Sequence, residues 1–274
     1  MRPTELQAAG ATQAGLVREE NQDHILISAH DPAGHGQLCV LADGMGGYAH
    51  GGVASRTAVE ALHTAFYAGN PTQPSQNLRQ GVQDANLEVH RAAQRLNATH
   101  MGTTLTALHI GAGSLALAHV GDSRAYLVRA GQARCLTNDH TVVGDLVRMK
   151  VLSSDQVRGH ARRSVLSRSL GLNLFVQPDF VQCPLQSDDT LILCSDGVWA
   201  FVQDEEFAGL ASAQPDPAVL SQQLIEMAMA RASDDNVSAI AVRIHHPGSA
   251  DAKARAWPWP AFLQRRRAHP SGGS

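Results

Sequence analysis

Short apolar segments typical of β-strands recur along the chain. Sequence patterns predict strands at 24–28, 37–42, 103–110, 114–120, 124–128, 190–194 and 237–244. The loops at 111–113 and 129–131 are short and end in glycine, which favours antiparallel hairpins. In segments 103–110 and 114–120 the residues on both faces are apolar or small, so these strands are predicted to be covered on two sides.

Three helices are predicted between the strands, at 52–66, 75–96 and 217–231. The second carries apolar residues at alternating steps of four and three, which places them on one face. These residues are Leu78, Val82, Ala85, Val89, Ala92 and Leu96. Strand groups interrupted by long helices indicate an α+β fold in layers, with sheets inside and helices outside.

The chain is divided by composition into a main domain, an insert and a tail. Residues 1–245 are expected to form one catalytic domain, in which the Arg- and Ser-rich segment 144–173 is a surface insert with a short helix near 145–150. Residues 246–274 are rich in Pro, Gly, Ala and Arg, and we expect them to be disordered. The alternative is that the aromatic residues beside 265–267 form a docking or membrane motif.

Composition excludes several classes of protein. With 43% hydrophobic residues, 17% charged residues and a net charge of -3, the chain gives no sign of nucleic-acid or anionic-membrane binding. The first residues, MRPTELQAAG, contain no apolar run, so we expect no signal peptide, and no stretch approaches the roughly 18 apolar residues of a membrane span. The four cysteines form no CxxC pair and are expected to be buried and reduced, which favours the cytoplasm.

The candidate chemistry lies in aspartates that flank the predicted strands: Asp23, Asp43, Asp122, Asp196 and Asp235. Carboxylates that converge at strand ends repel one another unless a cation neutralises them, and oxygen ligands favour Mg2+ or Mn2+ over zinc. The chain has 14 histidines but no HxH or HExxH pattern. A single Asp-Gly is more often a turn, so spacing alone leaves a metal site and ordinary turns both open.

Longer motifs give a more specific signal. They are GLVREENQD (15–23), VLADGMGGYAHGGVAS (40–55), GTTLTALHI (102–110), AHVGDSRAYLVRAG (118–131), LTNDHTVV (136–143), SRSLG (167–171), LILCSDGVWAFVQDEEF (191–207) and ASDDNVSAIAV (232–242). In content and order they resemble the protein phosphatase 2C family of metal-dependent serine/threonine phosphatases, particularly its bacterial members. The resemblance implies a four-layer α/β/β/α fold, in which helix pairs flank a central antiparallel β-sandwich.

The resemblance also implies a metal centre that holds Mg2+ or Mn2+. It would contain two ions, or three if a third site is present. Its implied ligands are Asp23, Asp43, Gly44 through its carbonyl, Asp122, Asp196 and Asp235. Asp43 would bridge two ions, and Asp122 would hold the third together with Asp196. Arg18 would bind the phosphate with its guanidinium fork. A water made acidic by the ions would attack phosphorus without a phosphoenzyme, so the cysteines would be idle.

The chain departs from the family pattern at the expected proton donor. Many bacterial relatives have histidine after DGMGG, whereas Tyr48 stands there and His50 follows two positions later. His50, Tyr48 or a water could donate the proton, and His50 is the candidate retained. Asp139 and His140 are interpreted as structural turn residues, and Asp234 as a solvent-exposed neighbour of Asp235. The insert at 144–173 resembles a flap that influences substrate choice.

Three functions are compatible with these residues. The first is hydrolysis of phosphoserine and phosphothreonine in proteins, opposing a bacterial serine/threonine kinase, by an enzyme expected to be monomeric. The second is a catalytically silent pseudophosphatase that binds phosphoproteins, which is disfavoured because no expected ligand is missing. The third is a hydrolase of phosphodiesters or small phosphate esters, which the same metal cluster could serve.

Overall fold

The computed structural model describes residues 4–29, 34–46, 50–153, 156–157 and 159–248. In these ranges the strands are β1 (Glu5–Gln13), β2 (Asp23–Ile27), β3 (Gln37–Met45), β4 (Gly102–Thr103), β5 (Leu105–Gly111), β6 (Ser114–Val120), β7 (Arg124–Arg129), β8 (Gln132–Cys135), β9 (Asp179–Pro184), β10 (Thr190–Cys194) and β11 (Val237–His246). The helices are α1 (His50–Ala68), α2 (Pro74–Arg95), α3 (Val142–Arg148), α4 (Asp196–Trp199), α5 (Asp204–Ala213) and α6 (Pro217–Ala230).

The strands form two antiparallel sheets that pack face to face. One sheet has the order β1-β11-β10-β7-β8, and the other has the order β2-β3-β5-β6-β9, with β4 paired to β3. Buried side chains from both sheets, such as Leu41, Leu117 and Ile240, form the core between them. Helices α1 and α2 cover the outer face of the second sheet, and α4 to α6 cover that of the first. The four-layer α/β/β/α fold is thus confirmed.

Helix α2 follows the predicted apolar stripe closely. Leu78, Val82 and Val89 are fully buried against α1 and the second sheet. Pro74 begins the helix, a position where the missing amide hydrogen costs nothing. The helix ends at Arg95, and Leu96 is its C-cap and is half-exposed, so the predicted stripe is right except at its last residue.

Five elements were not predicted from the sequence: β1, β8, β9, α4 and α5. Strand β1 has the sequence ELQAAGATQ, in which small and polar residues give no strong alternation. It forms because nine of its residues pair with β11, the last strand of the described chain. Long-range pairing of this kind overrides weak local preference.

The insert at 144–173 is joined to the sandwich at its base. Thr141 pairs with Leu166, and the amide of Val142 donates to the carbonyl of Val165 at 2.9 Å. Leu170 exchanges backbone hydrogen bonds with Thr103 of β4. Strand β11 continues to His246, one residue beyond the predicted domain boundary at 245. The expected disordered tail lies outside the described residues from 249 onward.

No helix in the described ranges is both long and apolar enough to cross a lipid bilayer. The four cysteines are free, and burial raises the pKa of the Cys39 thiol to about 12. A thiol with so high a pKa carries little thiolate at neutral pH and is a poor nucleophile. Cys39 is therefore unsuited to nucleophilic attack, and the absence of the cysteines from catalysis stays a prediction.

Candidate metal centre

Asp23 and Asp43 lie directly opposite each other on neighbouring strands. Asp23 is the first residue of β2, and the antiparallel register pairs it with Asp43 in β3. Directly opposed residues point to the same face of a sheet, so the two carboxylates are neighbours. The backbone of Asp43 is held by two threonines: its amide donates to Thr104 Oγ1 at 2.9 Å, and its carbonyl accepts from Thr103 Oγ1 at 2.8 Å.

The other sheet supplies Asp196 and Asp235. Asp196 follows β10 and opens α4, whereas Asp235 precedes β11, the antiparallel neighbour of β10. The two sheets are joined at this end by Ser238, whose hydroxyl donates to Asp23 Oδ2 at 2.5 Å. The predicted aspartates from both sheets therefore meet at one end of the sandwich.

Asp122 lies in the turn between β6 and β7 and is almost fully buried. Its carbonyl accepts a hydrogen bond from Trp199 Nε1 at 2.8 Å. The next residue, Ser123, is linked through its hydroxyl to Thr104 Oγ1 at 2.9 Å. Because Thr104 also holds Asp43, this link brings the turn toward the end of β3.

Electrostatic repulsion among these carboxylates is strong. Burial, and then repulsion by Asp235, raise the pKa of Asp23 to about 6, although hydrogen bonds from Ser238 and Ser195 oppose the shift. Burial and repulsion from Asp235 and Asp23 raise the pKa of Asp196 to about 7. Desolvation also lifts the pKa of Asp43 and Asp122 well above the usual value, with carboxylate neighbours as the next cause. The centre therefore holds more negative charge than the protein itself neutralises.

Two carboxylate oxygens indicate what kind of group would neutralise the negative charge of the centre. Among the described residues, the buried side-chain atoms without a hydrogen-bond partner are Asp23 Oδ1 and Asp196 Oδ1. Buried polar atoms are rarely left in this state unless an ion or water binds them. Within the same part of the chain, no three His, Cys, Asp or Glu side chains are arranged to hold a metal by themselves. These carboxylate oxygens fit a hard cation that also takes carbonyl and water ligands, as Mg2+ and Mn2+ do.

Gly44 is packed so tightly that no side chain fits there. A Cβ atom at this position would lie 2.0 Å from the carbonyl oxygen of Gly51 and 2.7 Å from that of Gln22. The carbonyl of Gly44 itself lies close to Gly51, since a Cβ added to Gly51 would be 2.8 Å from it. This close approach joins the end of β3 to the first turn of α1.

We expect Gly44→Ala to destabilise the fold by about 3 kcal/mol, because the new methyl group must push backbone atoms apart. The same displacement is expected to abolish stabilisation by Mn2+. Thermal unfolding with and without Mn2+ measures both effects. Gly209→Ala is the matched control, since Gly209 is exposed in α5 and a Cβ there meets nothing within 4 Å. Equal melting temperatures for the two variants would contradict the packing argument.

Arg18 lies at the rim of the centre. Its Nε and Nη2 atoms donate to the two carboxylate oxygens of Asp235 at 2.9 and 2.8 Å. This bond and the charge of Asp235 raise the pKa of Arg18. The side chain of Arg18 remains 56% exposed, so one face of the guanidinium is accessible to solvent. The structure therefore brings Arg18 to a predicted metal ligand, and its role toward phosphate stays a prediction.

Of the two side chains considered as proton donors, the structure describes His50 but not Tyr48. His50 is the first residue of α1 and is half-buried, close to Gly46 at the end of the DGMG segment. Tyr48 lies outside the described residues. Asp234 is exposed, as expected for a neighbour of Asp235 that faces solvent.

Sequence reasoning missed the residue that joins Asp235 to the N-terminal loop. The Asn236 amide group donates to the carbonyls of Ala14 and Glu20 at 2.8 and 2.9 Å, and its oxygen accepts from the amide of Gln22 at 2.9 Å. Asn236 thus fixes the loop that carries Arg18 beside the loop that carries Asp235. The only signal in the sequence was the asparagine itself, whose side chain can both donate to and accept from backbone groups.

Comparison with known proteins adds four matches to this geometry, two of sequence and two of structure. The family profile described as "Protein phosphatase 2C" matches residues 11–237. The chain is 31% identical over 242 residues to the serine/threonine phosphatase stp of Listeria monocytogenes, covering 86% of this chain and 95% of that protein.

Solved structures agree with the sequence matches. Serine/threonine phosphatase Stp1 from Staphylococcus aureus is 32% identical and gives a TM-score of 0.82, covering 89% of this chain and 96% of that one. The catalytic domain of the serine/threonine protein phosphatase PstP, solved in complex with two manganese ions, is 30% identical with a TM-score of 0.79. That match covers 89% of this chain and all of the other.

Proposed function

Because the chain belongs to the protein phosphatase 2C family, we propose that its carboxylate centre hydrolyses phosphoserine and phosphothreonine in proteins with Mg2+ or Mn2+. The observation that carries this proposal is the pair of buried, unpartnered oxygens on Asp23 and Asp196 among mutually repelling carboxylates. The related enzymes named above are serine/threonine phosphatases, and one of them was solved with two manganese ions.

The residues proposed to hold the cations are Asp23, Asp43, Gly44, Asp122, Asp196 and Asp235. When bound, the cations would make a water more acidic and neutralise charge on the phosphoryl oxygens. The protein supplies a rigid frame for them. Thr103 and Thr104 fix Asp43, Ser238 orients Asp23, and Trp199 holds the Asp122 turn.

Arg18 and His50 are proposed to act on the substrate. The accessible face of Arg18 can donate to phosphate oxygens, which a planar guanidinium suits better than an ammonium group. Asp235 holds the side chain in place while that face stays free. His50 is proposed to donate a proton to the seryl or threonyl oxygen as its bond to phosphorus breaks.

The biological setting is proposed in three parts. The substrates are phosphorylated proteins, among them a serine/threonine kinase and its targets. The enzyme acts as a monomer, and it acts in the cytoplasm. The last point is supported by four free cysteines, of which three are buried and one is half-buried. The segment 144–173, whose Ser167 is linked through His140 to the residue before Asp122, is proposed as the flap that influences substrate choice.

The test is release of phosphate from a phosphothreonine peptide in Mn2+, with and without EDTA. We expect release that EDTA abolishes and that added Mn2+ restores. Activity that persists in EDTA would refute the proposal. A wild-type protein that binds the peptide but releases nothing in either Mg2+ or Mn2+ would instead be a pseudophosphatase. Faster cleavage of a phosphodiester than of the peptide would indicate the third function.

Replacing Arg18 is expected to weaken substrate binding more than turnover. Arg18→Ala should raise KM for the phosphopeptide roughly tenfold and lower kcat less than about threefold, since a phosphate contact is partly ground-state binding. Steady-state kinetics at saturating Mn2+ measure the two constants separately. Arg91→Ala, on the exposed face of α2, is the matched control. An unchanged KM would refute the role of Arg18.

A further inference from the structure

His140 is fully buried between β8 and α3, and the proposed chemistry gives it no role. A buried histidine in a loop is held there by its partners, so the identity of those partners shows what it does. Its contacts divide into two groups. One group leads to the turn that carries Asp122, and the other leads to the end of segment 144–173 and the start of β9.

The first group fixes Gly121, the residue before Asp122. The amide of His140 donates to the carbonyl of Gly121 at 2.7 Å, and the amide of Gly121 donates to His140 Nδ1 at 3.2 Å. Gly121 has a φ of +109°, and a Cβ there would lie 2.5 Å from Thr104 Cγ2. Only glycine fits this conformation, and the two hydrogen bonds to His140 hold the turn in it.

The second group sets the orientation of the ring. His140 Nε2 lies 3.3 Å from Asp179 Oδ2, and Arg168 Nη1 donates to Asp179 Oδ1 at 3.0 Å. Nε2 also lies 3.2 Å from Arg168 Nη1, whose two hydrogens have Asp179 Oδ1 and the carbonyl of Gln177 as acceptors. Since Nδ1 accepts from Gly121, the ring proton belongs on Nε2, where the carboxylate of Asp179 faces it. A carboxylate that holds a histidine in one tautomer is a common way to orient a group near a metal site.

We propose that His140 is a positioning residue for the cation at Asp122: Asp179 keeps its Nδ1 free to accept from Gly121, and this bond fixes the Asp122 turn. The inference rests on the proposed function, because it takes Asp122 to be a cation ligand. Trp199 holds the turn from the other side through the carbonyl of Asp122. His140 thus contacts the Asp122 turn through Gly121 and is connected through Asp179 to Arg168, near the end of segment 144–173.

Two substitutions by amide residues test the contacts of the two ring nitrogens separately. In His140→Asn the side-chain oxygen can take the place of Nδ1, so the bond from Gly121 is kept and the contact with Asp179 is lost. In His140→Gln the side-chain amide reaches toward Asp179, and the acceptor for Gly121 is lost. A merely structural role would make the two variants similar, because both shrink the same buried side chain.

The neighbouring histidine provides a matched control. His119 is equally buried, and its ring centroid lies 4.9 Å from that of His140. Its nitrogens contact Thr106 Oγ1 at 3.0 Å and the carbonyl of Asn138 at 3.1 Å, and neither partner belongs to the Asp122 turn. His119→Gln therefore creates a similar void without removing a bond to Gly121.

The experiment measures hydrogen exchange of the Gly121 amide and Mn2+ affinity by calorimetry. For His140→Gln we expect about tenfold faster exchange of this amide and about tenfold weaker binding of the most weakly held Mn2+. His140→Asn and His119→Gln should stay within about threefold of wild type. In an Asp122→Asn background, His140→Gln should have no further effect on Mn2+ binding, because the site on which it acts is gone.

Similar Mn2+ affinities for His140→Gln and His140→Asn would overturn the proposal, as would an additive effect with Asp122→Asn. The nitrogen NMR spectrum of the wild-type His140 ring gives a test that needs no variant. A proton on Nε2 is expected, and a proton on Nδ1 would overturn the assignment. If the wild type neither binds Mn2+ nor releases phosphate, the proposed function fails, whereas Gly121 exchange still tests the ring contact.

Discussion

Asp43→Asn is expected to lower kcat/KM for a phosphothreonine peptide by about a thousandfold or more, corresponding to about 4 kcal/mol of transition-state stabilisation. Asp43 lies opposite Asp23, and its pKa is raised by burial and by four neighbouring carboxylates. The substitution keeps the shape of the side chain but removes the charge that would attract the cations. Phosphate release at several Mn2+ concentrations measures the effect.

The control for this variant is Asp234→Asn, which removes an exposed carboxylate beside Asp235. It should leave kcat/KM within about twofold of wild type, because a surface charge in water contributes little. If Asp43→Asn retained more than a tenth of the wild-type activity, the carboxylate centre would not be the site of hydrolysis. Rescue by excess Mn2+ would show that Asp43 contributes to affinity rather than to the chemical step.

The second large effect concerns stability without metal. The pKa of Asp23 is raised to about 6 and that of Asp196 to about 7, whereas in an unfolded chain an aspartate titrates at about 3.9. Between these values the folded state binds more protons than the unfolded state. The free energy of unfolding therefore falls as the pH rises from about 4 to about 7. Bound Mn2+ should reverse this loss, because it stabilises the ionised carboxylates.

Asp196→Asn isolates this effect. In EDTA at pH 7.5 the variant should melt at least about 3 °C above wild type, the shift that roughly 1 kcal/mol produces in a domain of this size. At pH 5 the difference should shrink, because Asp196 is then protonated in the folded wild type. In Mn2+ the order should reverse, since only the wild type gains from binding. Asp188→Asn, with an 81% exposed side chain, should show neither change.

An Asp196→Asn variant that melts at or below the wild-type temperature in EDTA at pH 7.5 would contradict the repulsion argument. It would mean that Asp196 makes favourable contacts in the metal-free protein that outweigh its charged neighbours. Absence of any stabilisation of the wild type by Mn2+ would count against the metal centre itself.

The sequence predicted those parts of the molecule whose pattern is local. The stripe of α2 and the strands from β5 to β7 follow directly from apolar spacing and short glycine-containing loops. Asp43 and Asp196 could be identified as candidates because each directly follows a strongly apolar run of residues in the sequence. Family resemblance, rather than spacing, indicated that these residues form one centre.

What could not be predicted depends on contacts between distant residues. Strand β1 lacks a pattern of its own and forms through its pairing with β11. The bidentate contact between Arg18 and Asp235 joins residues 217 positions apart, and no local rule foresees it. His140 was interpreted as a turn residue because its partners, Gly121 and Asp179, are adjacent only in the fold.

The pairing of β1 with β11 has a consequence for the time at which the enzyme becomes active. The first described strand lies in its sheet beside the last, and Asp235 and Ser238 reach the centre only when β11 is in place. A chain emerging from the ribosome therefore cannot assemble the complete carboxylate centre until β11 has been synthesised and can pair with β1 and β10.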